Sequence, residues 1–412
     1  MTRPQRRHLA IILGLAFAIR LAWALVQPRT AAAIDRLPDQ REYLTLAQGL
    51  LHHGSLELFD PRFRQTLLAY RLPGYPLFVA GCGAVVPVVR IVQAAIDTST
   101  VLAAFLLARR LSGNAVVGLC AAVAVAVNPF LVYFSGLLLS ETVFIAAVVW
   151  GSVAAARRAL PVTIALFVAA VYLRPTALVL APALVWVALN CNGDRAYHWR
   201  VVLLVLLSLI LSLLPWTIRN WVRLGVPVWT TTNDGITFYD GFHNGATGGS
   251  DQRFVGQLPS LLSMNEVDRS RDLSRRAWRW AAEHAKLLPG LSLRKVARGW
   301  SPVPLSRDFG RPLYRWIGGA YAVPFDLLCL VGLASRRLSR QAKALLLAPA
   351  VVLTAVQVLT VGSIRYRMPA EPFLAVLAGA GAVDLWQWVR RRPGVSNDEH
   401  DAVAGHHSSS PL

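Results

Sequence analysis

The sequence predicts an all-α polytopic membrane protein of about ten transmembrane helices with two large extracytoplasmic loops, and three observations lead there. Hydrophobic residues fill 55% of the 412 positions, too many for an ordinary soluble domain. They gather in runs that approach the roughly 20 residues needed to cross about 30 Å of hydrocarbon as a helix. The runs lack the two-residue alternation of a closed β-barrel, the other structure that satisfies its own backbone inside a bilayer.

The spans fall at about 9–26, 88–109, 115–134, 139–157, 160–174, 176–191, 200–216, 317–335, 343–361 and 371–389. Short loops rich in Lys and Arg stay cytoplasmic. Under this assignment Arg3/Arg6/Arg7, Arg109/Arg110, Arg157/Arg158, Arg195/Arg200, Arg336/Arg337/Arg340/Lys343 and Arg390/Arg391/Arg392 all lie on one side. Both termini are therefore expected in the cytoplasm, with the chain in the inner (plasma) membrane and residues 27–87 and 216–316 outside.

Leu9 to Val26 follows Arg3, Arg6 and Arg7 as in a signal peptide, but no small-residue cleavage site follows, so the span reads as a retained anchor. Arg20 lies within it, where a central charge costs about 2.5–3.5 kcal/mol. It sits toward the outer end, with snorkelling, Asp35, Asp39 or a lipid phosphate as its candidate relief. In the first loop, Leu44, Ala47 and Leu51 fit a helix lying at the interface, and Asp39-x-x-Glu42 after Pro38 matches a capping box for a helix running to about Leu51. In the second, Trp278, Trp280 and Trp300 suit headgroup contact. One domain over 1–393 is expected, followed by a polar, disordered cytoplasmic tail at 394–412.

The formal charge of +20 is almost all arginine, since Lys286, Lys295 and Lys343 are the only lysines. Scattered over membrane loops, it forms no basic domain, which argues against nucleic acid and leaves anionic headgroups or phosphorylated lipids as partners. Cys82, Cys120, Cys191 and Cys329 stand isolated, without metal spacing or a disulfide framework. No internal repeat, Walker motif, dinucleotide fingerprint or zinc spacing occurs. No acid cluster dense enough to hold a divalent metal is present either, so neither metal nor cofactor is expected.

Residues suited to chemistry recur at the outer ends of the spans. Asp39, Glu42 and Tyr43 open the first loop, and Tyr70-Arg71-Leu72-Pro73-Gly74-Tyr75-Pro76 closes its polar part. Asn128-Pro129-Phe130 precedes Ser140-Glu141, and Leu173-Arg174-Pro175-Thr176 follows at the next outer turn. Pro215-Trp216-Thr217-Ile218-Arg219-Asn220-Trp221 opens the second loop, and Ile364-Arg365-Tyr366-Arg367-Met368-Pro369 with Glu371 forms the last outer turn. Each has an ordinary alternative: Asp39 as a helix cap, Glu141 as complement to a helix dipole, each arginine as a snorkelling or headgroup contact.

As an ordered set covering about 9–389, these motifs resemble the GT-C superfamily of membrane glycosyltransferases. The likeness is specifically to glycosyltransferase family 39, with its protein O-mannosyltransferases and lipid A aminoarabinose transferases. The resemblance implies a GT-C-like helical bundle and an inverting transfer of a sugar from a polyprenyl-phosphate donor to an extracytoplasmic glycolipid, polysaccharide or protein. It also implies that the first-loop Asp39 is the base. Many relatives carry Asp-Glu adjacent there. Here Gln40 intervenes, leaving Glu42 or Asp35 as the second acid. Departure of a polyprenyl phosphate needs fixed positive charge rather than a strong acid, and the arginine fork suits it. Arg71, Arg174, Arg219, Arg365 and Arg367, with Tyr43, Tyr75, Glu141 and Tyr366, are therefore the expected substrate-binding residues. Arg365 and Arg367 are favoured for the phosphate because they flank an aromatic just before a helix. The competing class is a non-catalytic flippase or transporter of polyprenyl-linked sugars. Such a protein favours midplane ionisable groups and repeat symmetry between halves, whereas the acids here read as lying at outer helix ends and in loops, with no half-to-half repeat.

Overall fold

The computed structural model describes residues 1–190, 195–305 and 312–391. Cys191, Arg392 and the expected tail at 394–412 lie outside the described residues. In chain order the helices are α1 (Arg3–Val26), α2 (Ala31–Asp35), α3 (Pro38–His53), α4 (Gly74–Gly81), α5 (Val86–Ser112), α6 (Ala115–Ala126), α7 (Pro129–Ser135), α8 (Glu141–Ala156), α9 (Leu160–Leu173) and α10 (Ala177–Asn190). They continue as α11 (Arg195–Ser212), α12 (Leu214–Leu224), α13 (Asp234–Gly241), α14 (Phe254–Gln257), α15 (Glu266–Glu283), α16 (Leu288–Gly299), α17 (Pro312–Ala334), α18 (Arg340–Leu359), α19 (Ile364–Arg367) and α20 (Glu371–Arg390). A two-stranded antiparallel hairpin, β1 (Leu58–Asp60) with β2 (Gln65–Leu67), lies in the first loop.

Among the described residues, six helical stretches are long and apolar enough to cross a bilayer: Arg3–Val26, Val86–Ser112, His198–Leu224, Pro312–Ala334, Arg340–Leu359 and Ile364–Arg390. α6 and α7 pass as a pair but bend by 55°. The bend has a local cause. Pro129 cannot donate a backbone hydrogen bond, and the Asn128 side chain restarts the helix by accepting from Phe130 N at 3.0 Å and Leu131 N at 3.2 Å. α8, α9 and the apolar part of α10 are shorter. The 16 residues of α8 reach only about 24 Å. Its residues are buried nearly all round, so α8 packs inside the bundle rather than presenting a lipid face. The expected spans overlap apolar helices, 115–134 as the bent α6–α7 pair, but six stretches, or seven with that pair, are long enough to cross where ten were expected.

Arg20 departs from expectation. Its Nε meets Asp97 Oδ2 of α5 at 2.5 Å, with both side chains essentially sealed from solvent. The other guanidinium donors reach the carbonyls of Ala16, Val125 and Ala126. It neither snorkels nor meets Asp35 or Asp39, and Asp97 is an acid buried inside a span, against the expectation that the acids keep to outer helix ends and loops. The pair pins α1 to α5 and α6, and removing one partner would strand the other as a buried charge.

The two loops fold into one layer. Leu46, Leu58, Phe63, Leu67 and Tyr70 of the first share an apolar cluster with Ile236, Phe254, Leu261 and Leu273 of the second. Glu266 stitches them together: its carboxylate accepts from Leu68 N at 2.8 Å, Ala69 N at 3.3 Å and Thr232 Oγ1 at 2.7 Å. The interfacial reading of α3 holds only in part, since Ala47 is fully buried in the main core while Leu51 is exposed. Of the tryptophans, Trp278 is exposed. Trp280 donates to Asn244 Oδ1 at 2.7 Å, and Trp300 donates to Thr354 Oγ1 at 2.9 Å.

Candidate active site

The capping box at Asp39 does not form. Leu37 is the N-cap of α3, Pro38 occupies the first helical position and no side chain caps the helix. Proline there needs no donor partner, which leaves the next side chain free. Asp39 instead turns both oxygens to guanidinium groups: Oδ1 accepts from Arg71 Nη2 at 2.6 Å and Oδ2 from Arg365 Nη1 at 2.5 Å.

From that residue an alternating row of charges runs both ways. Arg71 also donates Nε and Nη2 to Glu42 Oε2, at 2.8 and 2.6 Å, and lies over the rings of Tyr43 and Tyr70. On the other side, Arg365 donates its Nε to Glu141 Oε1, which also accepts from Arg174 Nη1, and Arg174 stacks over Tyr366. Six residues named from sequence—Asp39, Glu42, Arg71, Glu141, Arg174 and Arg365—thus meet in one network fed by α3, the α4 approach, α8, the end of α9 and α19. One backbone approach makes the assembly possible. A side chain at Gly74 would come within 2.5 Å of the Tyr172 carbonyl, so glycine lets the Pro-Gly-Tyr-Pro turn press against the end of α9.

Other expected residues lie elsewhere. Arg367 is buried, paired with Glu371 at 2.9 Å and bonded to the Ser301 carbonyl at 3.0 Å. Its register on the short α19 turns it away from Arg365 and into the bundle, so it does not join the network. Arg219 donates to the Leu68 and Leu56 carbonyls and stacks on Trp216, which ties the loop layer together. Tyr75 is buried beneath Tyr43 and donates to Gln93 Oε1 at 2.6 Å. Asp35 pairs with Arg41 on the surface and takes no part, which leaves Glu42 as the nearer second acid of the loop. Gln40, read as a departure from the family pattern, is buried and accepts from Leu138 N at 2.9 Å, anchoring α3 to the turn before α8.

Burial alone would raise the Asp39 carboxyl. The charges of Arg71 and Arg365, with the Arg365 hydrogen bond, outweigh it and hold the group well below the usual carboxylate range. Burial pulls Arg71 down, but Asp39 and Glu42 more than reverse that and hold it well above its ordinary value. Asp39 is thus an anion across the physiological range, clamped by two cations.

Asp39 and Arg365 line a cavity of about 830 Å³. Its polar lining comes from Asp39, the 247–253 segment, Arg298 of α16, Ser363 and Arg365. The apolar lining comes from Phe130, Tyr133 and Phe134 of α7 together with Pro304, Leu305, Tyr314 and Ile317. Ile317 is also exposed on the outer face of α17, beside exposed Leu313 and Trp316, so the apolar wall continues onto the surface of a membrane-length helix. The sequence reading missed Arg298 and the α17 residues: one arginine in a basic amphipathic helix carries no distinguishing signal. Among the described residues, no group of three His, Cys, Asp or Glu side chains is placed to hold a metal. Asp39 and Glu42 are paired with guanidinium groups, while Glu141 keeps one buried oxygen, Oε2, without a hydrogen-bond partner.

The helical bundle, bent α6–α7 pair and loop layer define a multi-pass helical membrane protein. Solved structures similar to it include the oligosaccharyltransferase of Archaeoglobus fulgidus in its apo form, at 15% identity and a TM-score of 0.53, covering 98% of this chain and 53% of that one. The same archaeal enzyme in complex with zinc and sulfate matches at 13% identity and a TM-score of 0.52, covering 92% of this chain and 49% of that one. The chain therefore spans about half the length of the enzyme whose fold it shares. No protein-family model and no curated protein sequence matches it.

Proposed function

We propose that the protein is an inverting glycosyltransferase that moves one sugar from a polyprenyl-phosphate donor to an extracytoplasmic acceptor. The observation that carries this reading is the cavity: a carboxylate–arginine pair, Asp39 and Arg365, on a polar lining that adjoins an aromatic wall running out along α17. A donor with an ionic, hydroxyl-rich head and a hydrocarbon tail matches both halves. The fold shared with an oligosaccharyltransferase supports the reaction class.

In the reaction, the acceptor oxygen forms its bond to the anomeric carbon as the bond from that carbon to the phosphate oxygen breaks. The acceptor proton passes to Asp39, and the electron pair leaves with the polyprenyl phosphate. A single displacement at the anomeric carbon inverts its configuration. Asp39 clamped by two arginines is a weak base. An incoming phosphate that competes for Arg365 relieves part of the clamp and raises Asp39 basicity where the acceptor hydroxyl lies. Glu42 holds Arg71, and Glu141 holds Arg365 and Arg174, so both position cations rather than move protons. The archaeal enzyme binds zinc and sulfate; here the reaction is proposed to run without a metal, and a chelator should leave turnover unchanged.

The test is reconstitution in vesicles with a radiolabelled polyprenyl-phosphate sugar and an envelope extract as acceptor. Covalent label transfer, lost by roughly 10²-fold or more in Asp39→Asn at normal membrane level, is the expected result. Label that changes leaflet without transfer would instead establish the transporter, and wild-type turnover in Asp39→Asn would remove the base.

A further inference from the structure

Three arginines line the cavity, and two are neutralised. Arg365 is held by Asp39 and Glu141, and Arg253 by Asp251. The side chain of the third, Arg298 of α16, has no ion pair or hydrogen-bond partner among the described residues, and its Nε is buried without an acceptor. A half-buried guanidinium with a sealed, unpaired donor is costly unless something supplies the missing oxygen. The surroundings are shaped to hold it. At Gly249 a Cβ would stand 2.5 Å from Arg298 Nη2, 2.6 Å from Nε and 2.7 Å from Cζ, so the guanidinium fills the space a side chain at 249 would take. The neighbouring Gly248 carbonyl accepts from Gly362 N at 2.7 Å, fastening this loop to the segment that carries Ser363 and Arg365.

We infer that Arg298, seated against Gly249, is an anion-binding position of the cavity and that it takes the phosphate of an isoprenyl phosphate. The choice of ligand rests on the proposed function, whereas the anion site itself does not. A guanidinium offers a flat fork that suits phosphate oxygens in pairs. The aromatic wall of α7 and α17 belongs to the same cavity, so a phosphate held at Arg298 has apolar surface available to its tail. Arg298 thereby takes the role that the sequence suggested for Arg367, which is spent on Glu371 and Ser301.

The experiment measures binding by the purified full-length protein in neutral detergent, with farnesyl phosphate, farnesol and inorganic phosphate as separate probes. Wild type should bind farnesyl phosphate and hardly bind farnesol. Arg298→Gln should weaken farnesyl phosphate about tenfold to a hundredfold, the loss of a charge-assisted contact. Gly249→Ala should weaken it several-fold by displacing the guanidinium, with an unchanged thermal midpoint that separates this effect from misfolding. Arg253→Gln, which removes an exposed and already paired cation at the same rim, should change little. Equal binding by wild type and Arg298→Gln overturns the inference, as does an equal loss in Arg253→Gln, which would signal bulk charge alone. If inorganic phosphate binds as tightly as farnesyl phosphate and still depends on Arg298, the anion site stands and the lipid ligand falls, and the donor reading falls with it. Arg298-dependent farnesyl phosphate binding without sugar transfer would uphold the site while removing the transferase.

Discussion

Both oxygens of Asp39 accept from guanidinium groups, so its protonation is set by its neighbours. A folded-state value below the ordinary one means that the ion pairs add stability above the usual carboxylate range. That stability is lost as pH falls through the depressed value. The same sign governs activity: the acid limb of kcat/KM for wild type should stay flat through the usual carboxylate range. Arg71→Gln removes the largest of the lowering charges, so its acid limb should move to higher pH. An unshifted profile in that variant would show that Asp39 does not set the limb. Arg365 and Arg367 should separate cleanly. Arg365→Lys keeps the charge but cannot serve Asp39 and Glu141 from one fork, so turnover should drop about tenfold or more. Arg367→Lys should lower the thermal midpoint and leave donor KM near wild type, because the side chain is sealed against Glu371. A large KM change in Arg367→Lys would return it to the donor site.

At the scale of elements, the network exists because short helix ends converge. α3 begins at Pro38 without a side-chain cap, which frees Asp39; α8 begins at Glu141, and α19 supplies Arg365 in a single turn. The turn into α4 brings Arg71 in, and its contact with α9 leaves no room for a methyl group at Gly74. Gly74→Ala should therefore destabilise the fold by about 1–3 kcal/mol, because the obstructing atoms are backbone and yield poorly. A detergent thermal melt checks it, and an unchanged midpoint would mean that α4 can slide off α9. The capping box was legible as a pattern, yet a local pattern cannot register that two distant arginines offer the carboxylate stronger partners.

Across the whole molecule, the loop layer joins two segments separated by six apolar spans in the sequence reading, and Glu266 links them directly. That arrangement requires residues 27–87 and 216–316 to emerge on one face of the membrane. Reporter fusions after Val26 and within 230–310 should read as extracytoplasmic, and fusions after Arg110 and Arg392 as cytoplasmic. A cytoplasmic signal from 230–310 would overturn the placement of the site, since the cavity is lined by that loop.

The sequence by itself determined the all-α membrane class, the places of the apolar helices and the small set of outer-end residues from which the network is drawn. These follow from hydrophobicity, charge bias and turn residues, which act over short stretches of chain. Tertiary structure decided which charges meet: Asp97 for Arg20, Glu371 for Arg367, Asp39 and Glu141 for Arg365, and no partner among the described residues for Arg298. In a chain so rich in arginine the side chains are chemically alike. A few ångströms of non-local packing select each partner, because the attraction between ions and the cost of leaving one unpaired both rise steeply away from water.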